Sequence, residues 1–407
     1  MPTSQSADTR DRPDAEEPAD TERQADTERQ ADSEKQAGVE KRAAGGRRSG
    51  AGKRARAGDG PGPEPLPPRL LKRWEIGAPG TTTPLATGSG DRSWRVDTAD
   101  GAFFLREHAG PDRRRVLFQH GVTAALDTAG LPVLAPVPAR GGRTLVTAAG
   151  RGYVLYPWVG GRGRGGLELT FAQCEALGEL LGRVHAALDE LTPPVQQSML
   201  VPTPRAADAA AAVEEMLRDV PGGEDGTDFD ALTARRLRER RDLLTEFAGH
   251  QPPDIEVSTV GHLHGSFHAE HLRYGGSGNV TAVLGWGGLT TGPVAGEVVR
   301  SAARLFACED ERGLDLDRVE AFVRGHRSAF PLDAGQIQSA VHREWWERLC
   351  DVAPLRHRYL GEDGAGERGP ATLVSWWSAN LDRTLDAFAV PYTAVYADAP
   401  GDSPAYG

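Results

Sequence analysis

The sequence predicts an α+β protein with two lobes, in which a small β-rich lobe precedes a larger helical lobe. Segments with alternating apolar residues concentrate in residues 70–160, whereas apolar residues recur at helical spacing through much of 161–390. Residues 1–66 are polar and partly repetitive, which predicts a disordered tail, and residues 391–407 are predicted to form a flexible tail. The two lobes predict a ligand site in the cleft between them.

The composition of the 407-residue chain fits a globular protein with more than one core, since 39% of residues are hydrophobic and 26% are charged. The net charge of −11 argues against a general nucleic-acid binder and would suit a cationic small-molecule substrate. Cys174, Cys308 and Cys350 form no motif, as expected in a reducing cytoplasm. We expect no signal peptide, because the first ten residues contain no apolar stretch, and no membrane partner, because the longest uncharged run, 274–296, is rich in glycine.

The N-terminal tail contains a six-residue repeat over residues 19–36, which reads ADTERQ twice and then ADSEKQ. The repeat has no large apolar residue and therefore cannot bury a face against a core. A basic, glycine-rich stretch at 41–56 is interpreted as a solvated linker, with a weak contact to an anionic surface as the alternative. Prolines over 61–68 predict a stiff hinge before the fold begins near Leu70.

The β-rich lobe is predicted to contain a hairpin, one helix and two further strands. Residues 93–98 (SWRVDT) alternate between apolar and polar side chains, and a turn separates them from a second strand at 102–108. Apolar residues at helical spacing, followed by glycine, predict a helix over 113–130. The strand-like runs 143–148 and 153–159 complete the lobe.

The helical lobe is predicted to begin with an amphipathic helix at 170–188, capped by Thr170. Loop and strand material over 260–292 interrupts the helices. Further helices are predicted near residues 206–218, 230–248, 296–308, 315–329, 335–350 and 371–388.

Two pairs of adjacent tryptophans, Trp345-Trp346 and Trp376-Trp377, fall on the last predicted helices. Adjacent helical residues point in different directions, so both members of a pair cannot face a single core. We interpret the pairs as helix-packing residues, with one member of each pair lining a substrate cleft as the alternative.

The stretch 261–295 carries a motif with characteristic spacing. It contains His264-Gly265, then His268, and about a dozen residues later the triplet Leu284–Trp286 (LGW). Together they resemble the aminoglycoside phosphotransferase and choline kinase family, in which HGDxHxxN precedes a hydrophobic-Asp-aromatic triplet. The resemblance implies a two-lobed protein-kinase-like fold and ATP-dependent transfer of phosphate to a hydroxyl of a small-molecule acceptor.

Other segments agree with this resemblance. Residues 182–185 (GRVH) are similar to the family's LGxLH helix, and 153–160 to the strand and connector that hold adenine. Residues 103–106 resemble the strand that ends in a phosphate-binding cation, and the turn 87–91 could approach phosphates through backbone N–H groups. The nucleotide-binding residues that follow from the resemblance are Gly88, Ser89, Gly90, Arg106, Tyr156, Pro157 and Trp158.

The sequence departs from the family pattern at the positions that carry the chemistry. Ser266 stands at the catalytic Asp position, and a hydroxyl has no charge at pH 7. His271 and Gly285 stand at the magnesium-ligand positions, although magnesium prefers oxygen ligands. Gln119 replaces the acidic partner of the phosphate-binding cation. The sequence therefore predicts impaired, pseudokinase-like chemistry and argues against magnesium binding.

The substitutions leave several interpretations open. In the first, the protein is a phosphotransferase in which Glu270 or Glu297 replaces the missing acids and holds magnesium. In the second, it is a non-catalytic module that binds a nucleotide or metabolite, or presents its helical lobe to a protein partner. A purely structural role with a collapsed cleft is the third.

Several histidines need separate interpretation. The resemblance gives His264 and His268 structural roles in the catalytic loop, and His185 is expected to be packed or hydrogen-bonded. Four histidines fall within ten residues, but no cysteine lies nearby and the spacing matches no zinc motif, so a metal site is only an alternative. The four are His262, His264, His268 and His271.

Overall fold

The computed structural model describes residues 66–67, 69–85, 92–191, 195–221, 226–308, 312–360 and 372–389. Nearly all of the predicted N-terminal tail and the whole predicted C-terminal tail lie outside the described residues. The turn with Gly88, Ser89 and Gly90 lies outside them as well, so its phosphate-binding function stays a prediction.

The chain divides into two units. The described residues of the smaller unit are 220–221 and 226–234, and the larger unit contains all the others. In the smaller unit, the Asp230 carboxylate accepts hydrogen bonds from the backbone N–H and the hydroxyl of Thr227, which stabilises the start of a helix. The sheet and the loop described below lie in the larger unit.

Five antiparallel strands form one sheet in the order β1-β2-β3-β5-β4. The predicted hairpin is confirmed as β2 and β3, whereas β1 has no sequence signal because its side chains are nearly all exposed. The strands are β1 (Pro79–Leu85), β2 (Ser93–Thr98), β3 (Gly101–His108), β4 (Val146–Ala148) and β5 (Arg151–Pro157).

Helix α1 (Arg113–Thr128) follows the hairpin and confirms the helix predicted over 113–130. Asp112 precedes the helix in an extended conformation. Its carboxylate accepts hydrogen bonds from the backbone N–H groups of Arg114 and Arg115, at 3.0 and 3.2 Å. An N-cap of this kind satisfies helix donors that would otherwise have no partner.

The rest of the chain is mainly helical, with two small sheets between the helices. One sheet has the order β10-β7-β6, and the other pairs β8 with β9. No helix in the described ranges is both long and apolar enough to cross a membrane. The strands are β6 (Val195–Leu200), β7 (Ile255–Leu263), β8 (Leu272–Tyr274), β9 (Val280–Val283) and β10 (Thr290–Pro293). The helices are α2 (Phe171–Leu191), α3 (Ala206–Asp219), α4 (Asp228–Glu246), α5 (Val294–Leu305), α6 (Leu316–Ala329), α7 (Ala334–Cys350), α8 (Ala353–Leu360), α9 (Thr372–Ala379) and α10 (Leu381–Phe388).

The helix predicted over 371–388 is in fact the pair α9 and α10. Asn380 leaves helical geometry between them, with φ of −126°, and its side-chain amide donates to the carbonyl of Trp376. Asparagine competes with the helix in this way because its amide can replace a backbone partner. Helices near the other five predicted positions after 200 are confirmed by α3 to α7.

The adjacent tryptophans of α7 are both fully buried. The indole N–H of Trp345 donates to the hydroxyl of Ser378 at 3.0 Å, and that of Trp346 donates to the carbonyl of Pro204 at 2.8 Å. Each ring therefore packs against a different segment of the chain. For this pair, helix packing is confirmed and the alternative of a cleft-lining tryptophan is wrong.

Helices α2 and α6 pack closely because glycines lie in their interface. A Cβ added at Gly178 would lie 1.9 Å from the carbonyl oxygen of Phe322, and one at Gly325 would lie 1.9 Å from the carbonyl oxygen of Glu175. Neither distance allows a side chain, so the two backbones could not approach this closely with any other residue. This contact holds α2, and with it His185, in position.

We expect Gly178→Ala to lower the free energy of unfolding by about 2–3 kcal/mol, because the added methyl group forces the two helices apart. Gly121→Ala is the matched control, since Gly121 lies within α1 with open space around its Cα. The control should be neutral or stabilising by up to about 1 kcal/mol. Urea unfolding measures both, and equal stability of the two variants would contradict the close approach.

Candidate functional site

The carboxylate of Glu297 lies at the centre of the candidate site. It is in the first turn of α5, with only 2% of the residue exposed. One oxygen accepts hydrogen bonds from the backbone N–H of His264 and from Nε2–H of His185, both at 2.9 Å, and the other accepts from the N–H of Gly265. Both oxygens are therefore used to hold the start of the loop.

Two buried imidazoles, those of His185 and His326, extend the hydrogen-bond network of this carboxylate. Burial would raise the pKa of Glu297, but hydrogen bonds from His185 and Gly265 and nearby positive charge outweigh it, so its pKa lies below 4.5. Nε2–H of His185 donates to Glu297, and its Nδ1 lies 2.9 Å from Nε2 of His326, within hydrogen-bond distance. Burial lowers the pKa of His326, which keeps this ring neutral. The prediction that His185 is packed or hydrogen-bonded is confirmed. No pattern in the sequence indicated that His326 would join it.

The hydrogen bonds of His264 fix its tautomer. Nε2–H donates to the carbonyl of Leu284 at 2.8 Å, and Nδ1 accepts from the N–H of Ser266 at 3.2 Å. Burial lowers the pKa of His264 to about 4, so the ring is neutral at pH 7. Gly265 has φ of 79°, and a Cβ there would lie 2.0 Å from the carbonyl oxygen of Gly288. The His-Gly pair thus shapes the loop.

Ser266, at the catalytic Asp position, is enclosed by two further histidines. Its Oγ lies 3.0 Å from Nε2 of His268, and its carbonyl accepts from Nδ1–H of His271 at 2.7 Å. Burial, together with the charge of Arg304, lowers the pKa of His268 to about 4. The Ser266 hydroxyl is therefore already hydrogen-bonded to a neutral imidazole within the loop.

His271 and Gly285 fit each other closely. Gly285 has φ of 83°, and a Cβ there would lie 2.3 Å from Nδ1 and 2.4 Å from Cε1 of His271. The imidazole therefore occupies the space that any side chain at position 285 would need. At the two positions that the resemblance assigns to metal ligands, this protein therefore has an imidazole ring packed against a glycine.

These residues do not fit magnesium, which requires several oxygen ligands in octahedral geometry. His271 offers nitrogen, Gly285 offers no side chain, and both oxygens of Glu297 accept hydrogen bonds from the protein. Glu270 is exposed, and a function of Glu270 or Glu297 as a surrogate ligand stays a prediction. No cluster of three or more His, Cys, Asp or Glu residues within the described ranges could hold a metal ion.

Two of the predicted nucleotide-binding residues, Arg106 of β3 and Tyr156 of β5, share one face of the sheet, whereas Pro157 pairs with Phe103 and lies on the other face. The register pairs Phe104 with Tyr156 and Arg106 with Val154. Because side chains alternate along a strand, Phe104, Arg106 and Tyr156 lie on the same face, and all three are half-buried. Burial raises the pKa of Tyr156 to about 12, an effect that the charge of Arg106 opposes.

The segment after β5 continues this face. The backbone N–H of Trp158 donates to the carbonyl of Ala102 at 3.0 Å. The guanidinium of Arg95 lies 4.7 Å from the centre of the Trp158 ring, within the range of a cation–π contact. Pro157 is exposed. The structure thus brings Arg106, Tyr156 and Trp158 to one surface.

Helix α1 links the sheet to the segment after Gly285. Arg115 and the side-chain amide of Gln119 both donate to the carbonyl oxygen of Gly287, at 3.0 and 3.3 Å. A carboxylate at position 119 could not donate to a carbonyl. Glutamine at the ion-pair position therefore makes a different contact from the one that the resemblance implies.

An ionic cluster surrounds the buried carboxylate of Glu107 on the opposite face of β3, and nothing in the sequence pattern indicated it. Its carboxylate accepts two hydrogen bonds from Arg92, at 2.9 and 2.7 Å. It also accepts from Arg151 at 2.9 Å and from the hydroxyl of Tyr153 at 2.8 Å. Since Arg92 directly precedes β2, the cluster fixes the start of that strand.

The antiparallel sheet, its single helix and the following helical part with an anchored loop have the architecture of a protein-kinase-like fold. The family model described as the phosphotransferase enzyme family matches residues 81–332. This is more than half of the chain, and the chain belongs to that family. No curated protein sequence matches the chain significantly.

Solved structures support the fold. The chain is similar to a spectinomycin phosphotransferase solved with ADP and spectinomycin, with a TM-score of 0.54 and 12% identity over 77% of this chain and 97% of that one. It is also similar to an aminoglycoside phosphotransferase from Alicyclobacillus acidocaldarius subsp. acidocaldarius, with a TM-score of 0.53 and 11% identity over 82% and 97%. At these identities the similarity establishes the fold alone.

We expect Glu297→Gln to lower the free energy of unfolding by about 2–3 kcal/mol at pH 7, because glutamine leaves one buried donor without an acceptor. The pKa of Glu297 is lower in the folded state, so its contribution is present above about pH 4.5 and is lost as the pH falls through the lowered value. The gap between wild type and variant in urea unfolding should therefore shrink in acid.

The control for this prediction is Glu270→Gln, at an exposed carboxylate of the same loop. It should change the free energy of unfolding by less than about 0.5 kcal/mol. A Glu297→Gln protein as stable as this control would show that the carboxylate does not anchor the loop.

A double-mutant cycle tests the contact between His271 and Gly285. Gly285→Ala should cost about 2–4 kcal/mol, because it combines a steric clash with a left-handed backbone. In a His271→Ala background only the backbone cost of about 1 kcal/mol should remain. Gly130→Ala, also at positive φ but in open space, gives the same backbone cost without a clash. Additive effects in the cycle would mean that the ring does not fill this space.

Proposed function

We propose that this protein is a nucleotide-binding member of the phosphotransferase enzyme family that does not perform magnesium-dependent phosphoryl transfer. The observation that carries the proposal is the imidazole of His271 packed on Gly285. Phosphoryl transfer in this fold relies on metal ions that neutralise the phosphates and on a group that orients the attacking hydroxyl. Here neither metal-ligand position carries a side-chain oxygen that could bind a metal ion, and the imidazole of His271 fills the space between the two positions.

The loop chemistry supports the same conclusion. Ser266 has no negative charge with which to orient an acceptor hydroxyl, and its own hydroxyl already forms a hydrogen bond with His268. The groups that shape the loop, Glu297 and His264, are buried and hydrogen-bonded to the backbone. The loop therefore retains its form without the groups that would perform the transfer.

The capacity to hold a nucleotide has separate support. Arg106, Tyr156 and Trp158 lie on one face of the sheet, and a guanidinium remains charged and able to bind phosphate oxygens. The similar spectinomycin phosphotransferase contains ADP. We therefore expect ATP or ADP on this face, with aromatic side chains near the adenine and Arg106 near the phosphates. A small-molecule acceptor beside the loop is the second ligand that the family implies.

Calorimetric titration of ATP into the full chain tests this function. We expect ATP to bind with an affinity that differs by less than about threefold between excess magnesium chloride and EDTA, because the protein supplies no oxygen ligands. Arg106→Ala should weaken binding about tenfold, whereas Arg114→Ala, at an exposed arginine of α1, should not. Binding that is tenfold tighter with magnesium, or no binding at all, would contradict the proposal.

A restored site provides the positive control. The combined variant Ser266→Asp, His271→Asn and Gly285→Asp reverses three of the four departures from the family pattern at once. It should bind ATP more tightly with magnesium than with EDTA, whereas Ser266→Asp alone should not. A triple variant that folds and binds ATP without any magnesium effect would show that the missing ligands are not the cause.

A further inference from the structure

A second arginine lies on the face of the sheet that carries Arg106. Arg95 of β2 pairs directly with Phe104 of β3, and Phe104 pairs with Tyr156 of β5. The side chains of directly opposite residues in antiparallel strands lie on the same face of the sheet. Arg95 therefore shares this face with the predicted nucleotide-binding residues, although it was not among them.

The guanidinium of Arg95 is oriented by a carboxylate. Its Nε and one of its terminal nitrogens both lie 2.9 Å from Oδ1 of Asp97. The other oxygen of Asp97 accepts a hydrogen bond from the hydroxyl of Thr81 at 3.1 Å, which supports the carboxylate in turn. Asp97 thus occupies one edge of the guanidinium and leaves its flat faces for stacking.

One flat face of this guanidinium lies over an indole ring. The central carbon of Arg95 is 4.7 Å from the centre of the Trp158 ring. The backbone of Trp158 is tied to the sheet, because its N–H donates to the carbonyl of Ala102. The side chain of Arg95 remains 41% exposed, which leaves a surface of the guanidinium accessible to a ligand.

The two arginines of this face lie close to its opposite ends. Trp158, which Arg95 contacts, lies level with Ala102 on β3, whereas Arg106 is four residues further along the same strand. Strand geometry separates these two levels by about 13 Å. A stacking surface therefore lies at one end of the face and a cation at the other, in the order of the base and the phosphates of a nucleotide.

We propose that Arg95 binds the base of the nucleotide, which stacks on the accessible surface of the guanidinium. A guanidinium is planar and weakly hydrated, and bases stack on such planes in proteins that bind single-stranded nucleic acids. The inference rests on the proposed function, because it assigns the base end of a nucleotide whose phosphates lie near Arg106. It adds to that function a ligand contact that the resemblance does not imply.

Three probes separate the two ends of the site by calorimetry on the full chain: adenosine, inorganic triphosphate and ATP. Arg95→Ala should weaken adenosine and ATP by a similar factor, about tenfold, which is the size of effect that stacking on one base gives. It should leave inorganic triphosphate unchanged, because this probe has no base. Arg106→Ala should give the reverse pattern, with weaker binding of triphosphate and ATP and unchanged binding of adenosine.

Arg95→Lys distinguishes stacking from charge. Lysine keeps the positive charge but has no planar group, so this variant should lose most of the adenosine affinity that Arg95→Ala loses. Arg241→Ala is the matched control, since Arg241 of α4 is 40% exposed and forms an ion pair with Asp242 at 3.1 Å. The control should leave the affinity for all three probes unchanged. The exposure of Arg95 means that its removal opens no cavity, so the variants are expected to fold.

Three results would overturn the inference: unchanged affinity for adenosine and ATP in Arg95→Ala, an equal loss for inorganic triphosphate in a folded Arg95→Ala protein, or full affinity for adenosine in Arg95→Lys. ATP binding without a magnesium effect that Arg95→Ala leaves unchanged removes only the base contact. ATP binding that is tenfold tighter with magnesium, together with Arg95-dependent binding of adenosine, removes only the proposed function. No binding of either ATP or adenosine to the wild type removes both.

Discussion

One buried carboxylate organises the candidate site. An ionised group in the interior is costly unless several donors surround it, and Glu297 has three: two successive backbone N–H groups and the imidazole of His185. Two adjacent amides that converge on one carboxylate force a tight turn, which explains the positive φ of Gly265. This turn places the His264 ring where its Nε2–H donates to the carbonyl of Leu284. The carboxylate therefore also constrains the segment that follows β9.

This arrangement separates the residues that shape the loop from those at the catalytic positions. Glu297, His264 and Gly265 make the structural contacts, whereas Ser266 and His271 are half-buried and joined to each other by one hydrogen bond. Because these three residues hold the backbone of the loop, the residues at the catalytic positions can differ without a change in the conformation of the loop. In this protein, the residues at two such positions, His271 and Gly285, pack against each other.

The fold could be predicted where local pattern dominates. The alternation of SWRVDT and the helical spacing in 113–130 each report on neighbouring residues, and both elements are present. Strand β1 has almost no buried side chain and therefore no apolar pattern. The split at Asn380 and the burial of both Trp345 and Trp346 depend on which segments pack around those helices, and one helix pattern does not contain that information.

The sequence by itself determined the class of fold, the position of the loop and the chemical identity of the replaced residues, because motif spacing and periodicity are properties of neighbouring positions. Only the tertiary structure decided what the replacements do. His271 and Gly285 are fourteen positions apart, and His185, Glu297 and His326 are more distant still, yet their atoms meet at hydrogen-bond or van der Waals distance.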